Sequence, residues 1–117
     1  MNVVSIRNMH KTVLFNGPMS GDFTSETGDF KEMAVGFIQA IFTGNDTING
    51  IFRLLVSIDD RDDTFALLSG SEQTTDGDCP AVGWNLCCIG YRFIKVQFIA
   101  NDNTTGNCLV LAVGKLG

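Results

Sequence analysis

Catalytic side chains and long apolar runs are scarce in this chain of 117 residues. The chain has one His, one Trp, one Tyr and two Pro. No apolar run approaches the ~18 residues needed to cross a bilayer. His10 has no Ser or Cys near it in a nucleophile motif such as G-x-S-x-G, so it is predicted to be a surface or hydrogen-bonded histidine and not a general base. We therefore expect no enzymatic activity, no catalytic residue and no cofactor.

Positive charge is also scarce. The chain carries 8 basic and 13 acidic residues, for a net charge of −5, and no Lys/Arg cluster occurs. A nucleic-acid backbone is bound by a positive stripe, and anionic membranes attract polybasic segments. We therefore expect neither nucleic acid nor a membrane among the partners.

The cysteines do not have the C-x-x-C spacing of a zinc site. They are Cys79, Cys87, Cys88 and Cys108. Cys108 occupies an alternating position in an apolar strand, which predicts a buried thiol. Cys79 lies in a loop and could pair with Cys87 or Cys88. Because no secretory signal is visible, free thiols in a reducing cytoplasm are favoured over a disulfide.

Alternating apolar residues predict four main β-strands. They cover Gly36–Gly44, Ile51–Asp59, Tyr91–Asn101 and Asn107–Val113. Helical periodicity is nearly absent, and turn residues recur every ~8–12 residues. This pattern predicts an all-β fold, a single-domain antiparallel β-sandwich resembling a jelly roll. The dipeptide Asn49-Gly50 further predicts that the first two strands form an antiparallel pair.

Weaker strand signals precede the turn at Gly17 and Pro18. We predict an N-terminal strand or arm over residues 1–19 and the β-sandwich domain over residues 20–117. Such an arm could be exchanged between copies or could dock on a partner.

Two of the predicted strands are apolar on both faces. Phe37 and Ile41 lie opposite the inward-facing residues of the first strand, and Leu109, Leu111 and Val113 lie opposite those of the last. In a two-layer sandwich, one face of a strand packs in the core. The second apolar face is therefore predicted to contact another sheet or another subunit.

An acidic loop is the strongest candidate for a metal site. Its carboxylates belong to Asp59, Asp60, Asp62 and Asp63. Ca²⁺ prefers such oxygen ligands, but the loop lacks the glycine and glutamate positions of an EF-hand. The alternative is a solvated turn whose Asp side chains cap backbone groups, and we predict no metal beyond this candidate.

Two aromatic residues suggest a different function. Trp84 and Tyr91, with Phe93 nearby, could form a platform on which sugar rings stack. This alternative makes the chain a carbohydrate-binding module, for which host-surface glycans are possible ligands. The competing prediction is that Trp84 fills one end of the core.

Four stretches of the chain resemble a known class of proteins. They are SGDFTSE (20–26), GFIQAIFTG (36–44), IFRLLVSIDDRDDTF (51–65) and WNLCCIGYRFIKVQFIANDNTTG (84–106). Their order and turns are similar to those of small β-sandwich structural proteins of tailed bacteriophages. The resemblance covers roughly residues 20–114. It departs from the class at Asp59-Asp60-Arg61, where an Asn-Asp-Gly turn is usual, and at Phe65, where a Trp is usual.

The resemblance implies a virion component made in the cytoplasm of a bacterial host. Such a protein would decorate the capsid, form the base of a head fibre or belong to the tail. Its expected partners are other copies of itself and other virion proteins, such as the major capsid or tail proteins. The resemblance assigns no catalytic residue to this chain.

Overall fold

The computed structural model describes residues 3–44, 50–74, 81–87 and 90–116. Regular structure in these residues is β-strand apart from one 3-10 turn, Asp62–Thr64. None of the described residues belongs to a helix with the length and apolarity that crossing a membrane requires. The strands are β1 (Val3–Ser5), β2 (Thr12–Pro18), β3 (Phe23–Thr24), β4 (Thr27–Asp29), β5 (Met33–Thr43), β6 (Ile51–Ser57), β7 (Ala66–Leu67), β8 (Gln73–Thr74), β9 (Ala81–Cys87), β10 (Phe93–Ile99) and β11 (Asn107–Leu116).

The strands form two sheets that pack into one sandwich. Sheet A has the order β1-β4-β10-β6-β7, with β3 also beside β10 and β8 also beside β6; sheet B has the order β2-β11-β5-β9. The antiparallel pairs are nested: β2 with β11, β3 and β4 with β10, β5 with β9, and β6 with β7 and β8. Successive pairs alternate between the sheets, as in a jelly roll. The predicted single-domain β-sandwich is confirmed.

The predicted pairing across Asn49-Gly50 is wrong. Strand β5 pairs with β11 and β9 in sheet B, whereas β6 pairs with β10, β7 and β8 in sheet A. Turn residues predict that the chain reverses, but they do not specify which sheet the next strand joins. Here the connection crosses between the sheets; its residues 45–49 lie outside the described part.

Aromatic rings fill the centre of the core. Phe52, on the inner face of β6, is fully buried. Its ring contacts those of Phe23, Phe42, Trp84 and Phe98, with centroids 4.7–6.5 Å away. The rings are stacked, tilted or edge-on, as quadrupole interactions favour. Because Phe42 and Trp84 belong to sheet B, this cluster joins the two sheets.

The outer face of sheet A is partly covered by the segment that follows β6. Lys95 points outward from β10 yet is only 8% exposed. Its Nζ lies 3.0 Å from Asp62 Oδ1 and 4.1 Å from the ring centroid of Phe65. Ile58, which alternation predicts on the inner face, is instead 79% exposed, because β6 ends at Ser57.

Two glycines face each other where β5 pairs with β11. Gly36 is the register partner of Gly114. A Cβ on Gly36 would lie 2.9 Å from a ring carbon of Phe30, and one on Gly114 would lie 2.8 Å from Met33 Cγ and Sδ. These separations are too short for a side chain, so the glycines allow Phe30 and Met33 to lie against the backbone.

The segment predicted as an N-terminal arm contributes one strand to each sheet in its described part. Strand β1 pairs in parallel with β4, and β2 pairs with β11 at the edge of sheet B. Leu14 is 1% exposed and Met19 is fully buried. The segment therefore supplies part of the core, so its deletion would remove core packing together with any docking function.

Leu14 and Val13 test this contribution of β2. Leu14→Ala is expected to lower the free energy of unfolding by about 2–5 kcal/mol, because it leaves a cavity in the core. Val13→Ala, at a position that is 48% exposed, is expected to lower it by less than about 1 kcal/mol. Urea unfolding followed by circular dichroism measures both changes. Equal losses would contradict the placement of β2.

Candidate functional site

The acidic loop is organised by contacts with its own neighbours. Asp59 accepts hydrogen bonds from the backbone N–H of Arg61 at 3.2 Å and from Arg61 Nε at 3.1 Å. These contacts hold the pKa of Asp59 below its ordinary value, the backbone hydrogen bond being the largest cause. Asp62 accepts a hydrogen bond from Lys95. The loop thus has the Asx-type geometry of a solvated turn at Asp59.

The structure does not gather a metal-binding set of side chains in its described part. Asp59, Asp60, Asp62 and Asp63 all lie there, yet no three His, Cys, Asp or Glu side chains come together in residues 3–44, 50–74, 81–87 and 90–116. Asp60 and Asp63 are exposed, while Asp62 faces Lys95. We therefore propose no metal site at this loop.

Trp84 is part of the core and offers no exposed stacking face. It is 7% exposed, its ring packs edge-on against Phe52, and its Nε1 donates a 2.6 Å hydrogen bond to the carbonyl of Ser71. Buried Trp residues commonly satisfy their N–H in this way. The prediction that Trp84 fills the core is confirmed, and the predicted sugar platform loses its largest ring.

Tyr91 lies elsewhere, just before β10. It is half-buried, and burial raises its pKa above the ordinary value. With Phe30 and Arg92 it lines an open cleft of about 570 Å³ at one end of the sandwich. Because Trp84 packs between the sheets, the two side chains do not form one surface.

Arg92 forms a bidentate ion pair at this end of the sandwich. Its Nε and Nη2 each lie 2.9 Å from an oxygen of Asp29, which ends β4. The Asp29 side chain is 13% exposed, and its pKa is lowered chiefly by the hydrogen bond from Arg92. The pair joins β4 to the start of β10.

His10 is exposed, which confirms its predicted surface position.

Cys108 is buried as predicted, and desolvation raises the pKa of its thiol to about 12. Cys87 is a free, exposed thiol on the outer face of β9. Cys79 and Cys88 lie outside the described residues, so the prediction of free thiols, and the alternative of a disulfide from Cys79, remain predictions for them.

The outer face of sheet B is the main unpartnered apolar surface of the described part. Phe37 is 40% exposed, and Ile41, Leu109, Leu111 and Val113 are half-buried on the same face. These are the residues for which alternation predicts contact with another sheet or subunit, and their outward position is confirmed. A contiguous apolar surface of this kind marks a protein contact more often than a lone exposed residue does.

Phe37 divides this outer face into two grooves. One, of about 270 Å³, is lined by Phe37, Leu111 and Val113 together with Met9, with Lys11 and Gln39 as its polar members. The other, of about 230 Å³, lies between Phe37, Val35 and Val113, with Asn85 and Lys115 as its polar members. The ring of Phe37 lies over Gly83 of β9, where a Cβ would be 2.6 Å from Cζ. A glycine is needed there for the ring to lie flat on the sheet.

Met9 rises at the rim of both grooves. It is 68% exposed and has φ of 60°, a left-handed conformation that is unusual for Met. Its N–H donates a 2.8 Å hydrogen bond to the carbonyl of Gly114, which holds the side chain beside the sheet. A strained residue of this type often belongs to a functional surface.

Three members of this surface were not predicted from the sequence. Val35 was missed because β5 begins at Met33 and not at Gly36. Val13 was missed because β2 was treated as part of an arm, and Met9 because it lies in a connection. The alternation of Val35 with Phe37 is a signal that would have identified Val35.

Comparisons with models of protein families, with curated proteins and with solved structures found no match.

The hydrogen bond from the Trp84 indole to the Ser71 carbonyl is expected to contribute to the stability of the fold. Trp84→Phe keeps an aromatic ring but leaves the Ser71 carbonyl without its donor, so the free energy of unfolding is expected to fall by about 1–3 kcal/mol. Urea titration followed by circular dichroism measures the loss. Tyr91→Phe, outside the core centre, is the control and should change stability by less than about 0.5 kcal/mol. If Trp84→Phe left the free energy of unfolding unchanged, the result would contradict a stabilising hydrogen bond at this buried position.

The Asp29–Arg92 pair predicts a pH dependence. Because the pKa of Asp29 is lowered in the folded protein, its stabilisation is complete above the unfolded value of 3.8 and is lost as pH falls through the lower folded value. Asp29→Asn should therefore flatten the acid limb of a plot of unfolding free energy against pH. The control Asp63→Asn, at an exposed position, should leave that limb unchanged; identical curves for wild type and Asp29→Asn would refute the pairing.

Proposed function

We propose that this protein is a non-enzymatic structural component of a bacteriophage virion, acting by self-association and by docking onto other virion proteins. The observation that carries the proposal is the apolar outer face of sheet B. It is built on strands whose inner faces are locked into the core, so the contact surface is pre-formed.

A rigid surface suits a protein that works by contact. Ordering flexible groups at an interface costs about 0.5–1.5 kcal/mol per side chain, and a sheet face avoids much of this cost. In sheet B the outer residues alternate with fully buried ones such as Ile38, Ala40 and Val110. Their backbone positions are therefore set before any partner arrives.

A second exposed apolar site, at Ile58, supports docking onto other proteins in addition to self-association. Ile58 is 79% exposed between two open clefts at the Arg92 end of the sandwich. Arg61 and Asp60 line one of these clefts, and Lys31 and Glu32 line the other. An apolar residue within a polar rim is the usual anatomy of a small protein contact. We assign this end to contacts with other virion proteins, such as the major capsid or tail proteins.

The resemblance to small β-sandwich proteins of tailed bacteriophages supports a location in the virion. The quoted stretches correspond in the structure to β3, β5, β6, β9 and β10, which are parts of both sheets. The proposed location is accordingly the virion, after synthesis in the cytoplasm of the bacterial host.

Mass spectrometry of purified particles tests this function. Phage particles produced by the host that carries the gene would be purified by density gradient and digested. We expect the chain to be present in many copies per particle, because structural proteins act in repeated arrays. An abundant soluble host protein provides the control for contamination. Depletion of the chain to the level of this control would refute the proposal.

A further inference from the structure

We infer that the outer face of sheet B binds the same face of a second copy of this chain, so that two sandwiches pack sheet B against sheet B. The inference deepens the proposed function and rests on it, because it assigns the self-association to one surface. The area, charge and shape of this face indicate that a second copy of the chain covers it.

The area of the face is close to what a stable dimer requires. Strands lie ~4.8 Å apart and rise ~3.4 Å per residue, so four strands of this length cover roughly 500–700 Å² of flat surface. The smallest stable interfaces bury about 600 Å² per partner. The protruding Met9 and the grooves on either side of Phe37 add relief to this area. A second sheet laid on the face would sit about 10 Å away, as in other sheet-on-sheet contacts.

The charge of the face favours a copy of the same chain. With a net charge of −5, two copies repel each other unless they meet where carboxylates are absent. The outward positions of β2, β5, β9 and β11 hold no Asp or Glu; the charged residues at this face are Lys115, at the end of β11, and Lys11, which lines the 270 Å³ groove. A strongly basic partner would instead be attracted by an acidic surface. Two acidic copies that meet through this face therefore bring no carboxylates of these four strands together.

The shape of the face is suited to a two-fold contact. A two-fold interface uses the same patch on both subunits, so a patch needs both a projection and a recess. Met9 is the projection, and the 270 Å³ groove lined by Phe37, Leu111 and Val113 is the recess beside it. The flexible thioether of Met9 adapts to such a recess. Both elements occur on each copy, so each can engage the other.

Light scattering at several protein concentrations tests the inference. Wild type is expected to form a dimer, and Phe37→Glu is expected to raise its dissociation constant at least about tenfold, because a carboxylate would be buried without a partner. Leu67→Glu is the matched control: Leu67 is 45% exposed on β7 of sheet A, and Phe37 is 40% exposed. This control is expected to remain a dimer.

Folding is checked for each variant by the fluorescence of the single Trp and by urea unfolding. If Phe37→Glu does not fold, Val13→Glu decides the question, because Val13 is 48% exposed on the edge strand of the same face. A wild type that is monomeric at all concentrations, or a dimer that folded face variants leave intact, would overturn the inference. Both results leave the virion assignment to be judged by particle composition, so the two failures are distinguishable.

Discussion

The ring of Phe52 is the contact on which the two-layer fold depends. It meets rings from both sheets, and those rings meet the remaining core side chains. Aromatic pairs contribute about 0.5–1.5 kcal/mol beyond the area that they bury, so this cluster adds direction to hydrophobic burial. Phe42 and Trp84 are fixed by it, and they in turn fix β5 and β9. The inner residues of β5 and β9 are therefore held in the core on the side opposite the outer face of sheet B.

The outer faces of the two sheets differ in how far other segments of the chain cover them. On sheet A, the segment after β6 lies over Lys95 and supplies its counter-ion and a ring, so a buried cation is satisfied locally. On sheet B, Met9 lies beside Phe37 and Val113, yet Phe37 remains 40% exposed. The outward apolar residues of β5 and β11 are therefore partly accessible to solvent, and the proposed self-association would cover them. This contrast between the two outer faces is the structural basis of the proposed function in assembly.

Alternation predicted the inner faces well, since Phe52, Leu54, Val96 and Phe98 are all buried. It did not predict β9, because glycine and proline around residues 69–83 resemble a loop although Val82 and Leu86 alternate with Trp84. Pairing partners were the main failure. Strands distant in sequence, such as β2 and β11, pair through packing that local patterns do not encode. The outward apolar residues were visible, but the position of Met9 required the backbone.

The facing glycines of β5 and β11 have a consequence for folding. Sliding a strand by one residue exchanges its two faces, and alternation normally prevents this because the wrong face is polar. In β5 and β11 both faces are apolar, so hydrophobicity discriminates weakly between the correct alignment and its neighbours. Only one alignment places Gly36 beneath Phe30 and Gly114 beneath Met33. The two glycines thus select the register sterically, because a misaligned pairing of β5 with β11 would place a Cβ where Phe30 or Met33 lies.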